Sequence, residues 1–527
     1  MRAKFAFITR QRVTAVNLPL IRPAATFPQG GRLWSGCSPL RVIHSQQAHK
    51  LLQHIIAVKV DLQRALAVLV IDMDLAAGDL LQRGLHLDGA LGAGEVILDL
   101  GRLGGLGQLF AERLGLADIQ VLRNDLGGGL PHQLLAGQPQ QEKIGRGVVA
   151  VKTDEGVFVS WRYLGTDSPS AGFNLYRDGE KLNDEPIMTS TNYVDKEGTA
   201  GSVYVVKRVD YGKETDISEE TGVWDKFYRK IKLQRPPSGV TPPYSVTNGD
   251  KKEDYPNGQF YSYTPNDCSV GDVDGDGKYE IIVKWDPTNS RDNSHYGITG
   301  EVYLDCYKFD GTQLWRINLG KNIRAGAHYT QFMVYDLDGD GKAEVACKTA
   351  PGTIDGKGKA VLMGNDSADA DYRNSRGMVI TGSEYLTVFN GETGAEITSV
   401  PYSPLRGSVS SWGNDSYGNR SERYLACIAY LDGVRPSLVM CRGYYQRTAL
   451  AAYNFDGKEL TQLWLHDSTK SGEGAYGQGN HNLSVGDVDE DGCDEIVYGA
   501  CVIDNDGSLL YRTGLGHGDA IHLTDFD

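Results

Sequence analysis

Asp272–Trp285 reads DVDGDGKYEIIVKW, and the pattern returns as DLDGDGKAEVACKT at Asp336–Thr349 and DVDEDGCDEIVYGA at Asp487–Ala500. Asp525–Asp527, DFD, opens a fourth copy, and YLDGVRPSLVMCRG from Tyr430 keeps the apolar run without the acids. Between the copies lie YKFDGTQLWRINLG (from Tyr307), TVFNGETGAEITSV (from Thr387) and YNFDGKELTQLWLH (from Tyr453). Each reads as a strand, a tight turn and a second strand. Units of roughly 40 to 95 residues, each built from several strands and no credible helix, predict the blades of a β-propeller. Gly- and Asp-rich turns between β-rich runs fit this better than a βαβ scheme.

The spacing of the acids has a chemical reason. In D-x-D-x-D-G-x-x-E, side-chain oxygens at positions one, three and five converge, glycine permits the sharp turn, the carbonyl at seven faces inward and the carboxylate at nine binds bidentately. Six or seven hard oxygens suit Ca2+. The first loop offers Asp272, Asp274, Asp276, the carbonyl of Lys278 and Glu280; the second Asp336, Asp338, Asp340, the carbonyl of Lys342 and Glu344. The third offers Asp487, Asp489, Asp491, the carbonyl of Cys493 and Glu495, and Asp525 and Asp527 begin the fourth. A strand follows each loop, which excludes EF-hands. Such ions usually staple a turn, so the expectation is several calcium ions in structural roles.

Outward from the repeats the texture changes twice. QRPPSGVTPPYS, Gln234–Ser245, carries four prolines and predicts a linker over 234–250, before a domain at 251–527. Upstream, GVVAVKTDEGVFVSWRYL, GFNLYRDGEKL and SVYVVKRVDYG alternate apolar and polar residues around Asp-Gly and Glu-Gly turns, predicting an antiparallel β-sandwich over 146–233. The first 140 residues differ again: they hold 27 Leu, 14 Lys+Arg, 10 Asp+Glu and none of the 28 Tyr. Glycines interrupt any helical period in RGLHLDGALGAGEVILDLGRLGGLGQLF, Arg83–Phe110. Two readings of this segment stand: a weakly ordered, partly helical stretch, or one translated from the wrong frame.

Composition narrows the function. The chain of 527 residues has room for several domains, and its net charge of −15 argues against a nucleic-acid partner. The longest apolar run, Ala65–Ile71, falls short of a membrane span. Arg10 and Arg12 break the apolar start before it reaches signal-peptide length. Eight cysteines occur without CxxC pairs, so neither a zinc site nor a dense disulfide framework is suggested.

From Arg146 to Asp527 the chain resembles the family 11 polysaccharide lyases acting on rhamnogalacturonan I, a pectic polymer. The resemblance is carried by GVVAVKTDEGVFVSWRYLGTD, TPNDCSVGDVDGDGKYEIIVKWDPTNSRDNS, GAHYTQFMVYDLDGDGKAEVACKTAPGT, GQGNHNLSVGDVDEDG and GLGHGDAIHLTDFD. It implies an all-β chain, a fibronectin-III-like β-sandwich followed by a calcium-binding eight-bladed β-propeller, here incomplete. It implies cleavage of the rhamnose–galacturonate bond by calcium-assisted β-elimination, in an extracellular or periplasmic enzyme. The family's cleft maps onto Asn266 and Asp286, with Asp267 as a metal ligand, and onto His481 and His517 as catalytic residues. Tyr444, Tyr445 and Arg447 in CRGYYQRTAL are candidates to line the sugar cleft. His328 and His522 are expected to be structural. An arginine and a lysine that the family uses in catalysis would fall beyond Asp527, so little activity is expected of this chain. The competing reading is a noncatalytic, calcium-stabilised propeller that binds carbohydrate or protein.

Overall fold

The computed structural model describes Gln140, residues 145–165 and residues 167–524. The leucine-rich segment, and Asp525 and Asp527 of the fourth loop, lie outside the described residues. What is described is almost entirely β. Among the described residues no helix is long and apolar enough to cross a membrane.

β1 (Val149–Thr153) and β2 (Gly156–Ser160) form a hairpin around Asp154 and Glu155. Together with β3 (Gly172–Arg177), β4 (Glu180–Lys181), β5 (Asn192–Asp195), β6 (Val203–Asp210), β7 (Lys213–Ile217) and β8 (Thr221–Trp224) it makes one sheet in the order β4-β3-β6-β8-β1-β2-β5, with β7 on β6. Alternate residues of these strands bury Ala150, Val157, Val159, Phe173, Leu175, Tyr204 and Val206 as one core. The expected purely antiparallel pattern is corrected at β8. It pairs antiparallel with β6 and parallel with β1, because one strand hands the ladder from one half of the sheet to the other.

The proline-rich stretch is more than a linker. β9 (Gly239–Val240) pairs with β12 (Phe260–Tyr261), and β10 (Tyr244–Asn248) turns through Gly249 and Asp250 into β11 (Lys251–Tyr255). Gly249 sits at φ 58°, the left-handed conformation this tight turn requires. The prolines at 236, 237, 242 and 243 all lie outside the ladders, where no backbone N–H is needed.

Four four-stranded antiparallel meanders follow. The first is β13 (Tyr263–Gly271), β14 (Glu280–Pro287), β15 (Tyr303–Tyr307) and β16 (Gln313–Asn318). The second is β17 (Phe332–Tyr335), β18 (Glu344–Thr349), β19 (Tyr385–Phe389) and β20 (Glu396–Pro401). The third is β21 (Tyr424–Ala429), β22 (Ser437–Arg442), β23 (Thr448–Phe455) and β24 (Leu460–Ser468). The fourth is β25 (Ser484–Gly486), β26 (Glu495–Val497), β27 (Cys501–Ile503) and β28 (Leu509–Arg512). The first strands adjoin in sequence: β13 to β17, β17 to β21, β21 to β25.

The sheets stack face to face, which explains why their inner strands read as unbroken apolar runs. In SLVMCR of β22, Leu438 and Met440 enter the core shared with the second sheet, while Val439 and Cys441 enter the core shared with the fourth. In β18, Val345 and Cys347 face the first sheet and Ala346 the third. Both strand faces are interior, so period-two alternation of chemistry disappears although the geometry keeps it.

Candidate functional site

The meander topology separates two kinds of loop. Asp272, Asp336 and Asp487 follow the first strands β13, β17 and β25, whereas His328 and His481 precede β17 and β25. The acidic loops and the histidines therefore occupy opposite ends of the sheets. Carboxylates gather at the acidic end, and the histidine end collects groups from several sheets.

At the histidine end, the rings of His481 and His517 lie 4.9 Å apart, and His328 stands 5.5 Å from His481. Tyr444 joins them: its phenol lies 3.2 Å from His481 Nδ1 and 3.4 Å from His328 Nδ1, and it accepts a 3.0 Å hydrogen bond from Arg423 Nη1. Tyr445 Oη lies 3.4 Å from His481 Nε2, and its ring packs 4.2 Å from that of His517. His517 Nδ1 donates to the Gly479 carbonyl at 2.6 Å, which leaves its Nε2 as the lone-pair nitrogen. His328 Nε2 lies 3.7 Å from Asp292 Oδ2.

Burial favours the neutral form of these imidazoles. Burial pushes His328 down to about 4, with the Arg423 cation adding to it. Burial also lowers His481, assisted by His517, and burial lowers His517. Neutral imidazole is the form that binds a cation or accepts a proton. Ligand atoms of His481, His517 and Asp519 all lie within 4.8 Å of one another, a set fit for a metal ion.

A second group comes from the first sheet. Asn266 Nδ2 donates to Asp286 Oδ2 at 2.5 Å, across the β13–β14 ladder beside the bulge at Pro265–Cys268. The other Asp286 oxygen is buried without a partner, and burial raises its pKa. Asp267 is ion-paired to the buried ammonium of Lys284, whose charge acts on both Asp286 and His328.

Several expected residues take different places. Tyr444 is fully buried, so it holds the histidines instead of offering a face to a sugar. Arg447 is clamped by Asp467 at 2.6 and 2.9 Å and lies over Trp412, which makes it a fastening between strands. His328, expected to be structural, stands inside the cluster; His522 is exposed on the chain beyond it. Asp519, Asp292, Arg423 and Lys284 were missed. Asp519 had a signal in the His-Gly-Asp spacing; Lys284 and Asp292 come from β14 and the loop after it, and Arg423 directly precedes β21, so their meeting had no local pattern.

At the acidic end each loop is closed by its own carboxylates, with Glu280, Asp340 and Asp491, expected as ligands, outside the converging sets. Asp272 accepts the N–H groups of Gly275, Asp276 and Gly277; Asp336 those of Gly339 and Gly341; Asp487 those of Asp491 and Gly492. The ninth-position glutamates reach back to Val273, Leu337 and Val488. Carboxylate oxygens converge within 4.8 Å in three sets: Asp272, Asp274 and Asp276; Asp336, Asp338 and Glu344; Asp487, Asp489 and Glu495. Burial lifts Glu280 to about 7, Glu344 to about 8 and Glu495 to about 7, and neighbouring aspartates add to each. Glu495 Oε1 is buried with no partner. Crowded, desolvated carboxylates with an orphaned oxygen fit a hard divalent cation. The degenerate loop keeps a single acid, Asp432, which pairs with Arg435 at 2.8 Å.

Comparisons with known proteins agree with this architecture. Residues 228–527 match the rhamnogalacturonan lyase family 11 C-terminal domain, and residues 139–224 the rhamnogalacturonan I lyase beta-sheet domain. The chain is 60% identical over 389 residues to the rhamnogalacturonan endolyase YesW of Bacillus subtilis strain 168, covering 74% of this chain and 60% of that protein. Over the same length it is 57% identical to the exolyase YesX of that organism, with the same coverage. The crystal structure of YesX superposes with a TM-score of 0.67 over 74% of this chain and 62% of that one, at 56% identity. The Bacillus licheniformis lyase superposes with a TM-score of 0.66 over 73% and 63%, at 59% identity. The chain thus spans about 60% of the length of the curated relatives it matches. With more than half of its residues inside the matched C-terminal domain, the chain belongs to rhamnogalacturonan lyase family 11.

Proposed function

We propose that this chain is a rhamnogalacturonan I lyase that cleaves the rhamnose–galacturonate bond by calcium-assisted β-elimination, as an extracellular or periplasmic enzyme. The observation that carries the reading is the neutral histidine cluster. His481 and His517 are lowered in pKa, fixed by Tyr444, Tyr445 and the Gly479 carbonyl, and stand beside Asp519. His481, His517 and Asp519 would hold a divalent cation. Such an ion supplies neutralisation of the uronate carboxylate, which acidifies the proton on carbon 5. Arg423 and Lys284 add fixed positive charge around His328, where an anionic sugar would be received. Asn266 and Asp286, hydrogen-bonded to each other, are positioned for sugar hydroxyls.

The eight strands of the first domain are read as the fibronectin-like sandwich, and the four stacked meanders as blades of an eight-bladed propeller. Supporting this, the first strands of successive sheets adjoin, and β18 and β22 bury both faces. The three acidic loops would each hold a structural calcium ion remote from the chemistry.

The test is the ultraviolet absorbance of the chain incubated with rhamnogalacturonan I and calcium. Elimination creates a conjugated unsaturated uronate and a rising absorbance. New reducing ends without that chromophore would replace elimination by hydrolysis; a weak signal is expected of this chain by itself, and binding without cleavage also in a form carrying the family's arginine and lysine would support the noncatalytic reading.

A further inference from the structure

Residues 226–235, between the sandwich and the first meander, read KFYRKIKLQR: five cations and no carboxylate, in a chain of net charge −15. Phe227 and Tyr228 are 68% and 55% exposed, where large rings are normally covered. Among the described residues, no carboxylate lies within ion-pairing distance of Lys226, Arg229, Lys230, Lys232 or Arg235. These cations are therefore not spent on the acidic loops.

The segment is fastened beneath its exposed side chains. Gln234 N–H donates to Tyr307 Oη at 3.1 Å, and Arg316 donates to the Gln234 carbonyl at 2.5 Å. Phe227 leans on Phe158 of β2 at 6.4 Å. The Tyr228 ring lies between the ammonium groups of Lys226 and Lys230, at 5.6 and 5.9 Å. Beside it lies a cleft of about 630 Å³, where Arg162, Arg229, Trp224 and Tyr279 face the carboxylates of Glu219, Glu220, Asp272 and Asp336, so the excess of positive charge belongs to residues 226–235 and not to the cleft floor. In that cleft the Arg162 guanidinium lies over the Tyr279 ring, 5.3 Å from its centre.

Apolar ring faces interleaved with unpaired cations match a polymer of pyranose rings carrying carboxylates. The rings take the sugar faces, and the cations take the uronates. A phosphate on every residue would suit the rings and cations too, but beyond this island it would meet the field of a strongly acidic chain. A polymer charged on alternate sugars meets less repulsion.

We propose that residues 226–235 and the adjoining cleft form a second, noncatalytic binding surface for acidic polysaccharide. The cleft is lined by Asp272 and Gly277 of the first acidic loop, so this surface lies at the acidic-loop end of the sheets, opposite the histidine cluster. Its role is to keep the protein on a long polymer while the histidine end works. The choice of polymer rests on the rhamnogalacturonan reading above.

The test uses the full chain and two variants, Phe227→Ala/Tyr228→Ala and Lys226→Glu/Arg229→Glu/Lys230→Glu, in native gels cast with rhamnogalacturonan I. All altered side chains are exposed, and melting curves check that folding is kept. Each variant should bind the polymer about tenfold more weakly, while cleavage of a short soluble oligosaccharide is unchanged. Raising salt should weaken the charged part of the retardation in the unaltered chain. Retardation that is absent from the unaltered chain, or unchanged in both variants, overturns the proposal. So does equal retardation by duplex DNA or equal binding to phosphatidylserine vesicles. Variant-sensitive retardation without cleavage leaves this surface standing and sinks the lyase reading; cleavage with variant-insensitive retardation sinks the surface alone.

Discussion

Tyr444 is the residue on which the histidine end is hung. Its buried phenol takes a hydrogen bond from Arg423 and reaches both His328 and His481. Tyr444→Phe keeps the ring and its packing but removes that link, so we expect a stability loss of about 1–3 kcal/mol from the unpaired guanidinium donor. Activity should fall further than that loss explains, because His481 loses its orientation. His481→Ala, which removes a nitrogen that would either hold the cation or take up the proton, should reduce the rate of chromophore formation by about 100- to 10,000-fold, the range for a residue acting in proton transfer. Its melting temperature should stay close to that of the unaltered protein, since His481 is only half-buried. A rate within a factor of a few of the original would remove His481 from the site. His481 and His517 entered as candidates through the resemblance of GQGNHNLSVGDVDEDG and GLGHGDAIHLTDFD to the family, since position alone left each open to a turn or close-approach role. Asp292 and Arg423 gave no signal, because what brings them to the histidines is the approach of loops more than 100 residues apart in sequence.

Between the second and third sheets lies a buried ionic network. Glu384 and Glu422 are held by Arg406, Arg442 and Lys348, with Arg442 Nη1 at 2.9 Å from Glu384 and Arg406 Nε at 2.6 Å from Glu422. All five side chains are almost wholly buried. The cations hold both carboxylates below their usual range despite the burial that would raise them. Glu384→Gln keeps the shape but leaves three cations facing one anion, and should cost about 3–5 kcal/mol in denaturant unfolding. Arg435→Ala, which breaks the exposed pair with Asp432, should cost about 0–1 kcal/mol. Equal losses for the two would mean that the network contributes no more than a surface pair. None of this was readable beforehand, since the five residues come from different strands and loops. The strands themselves were readable, because Asp-Gly and Asn-Gly turns and β-branched runs are local signals.

For the whole molecule, the acidic loops predict how stability depends on metal and pH together. Glu280, Glu344 and Glu495 are raised from 4.5 to about 7, 8 and 7 in the metal-free fold. A raised carboxyl contributes stability fully below the unfolded value and loses it as pH climbs through the folded value. The chelated protein should therefore lose stability between about pH 5 and pH 8. Calcium binds the deprotonated form, so its rise in melting temperature should be small near pH 5 and large near pH 8. A calcium effect of equal size at both, or none after verified metal removal, would count against the loops as cation sites. The repeat, the turns, the acidic loops and the family could all be read from the chain, because each is written in residues a few positions apart. Folding in three dimensions was needed to show that both faces of the inner strands are interior, that acidic loops and histidines lie at opposite ends of the sheets, and that Asp519, Asp292 and Arg423 stand with His481. Those facts depend on which strand ends meet when sheets stack, and long-range packing of that kind leaves no local pattern in the chain.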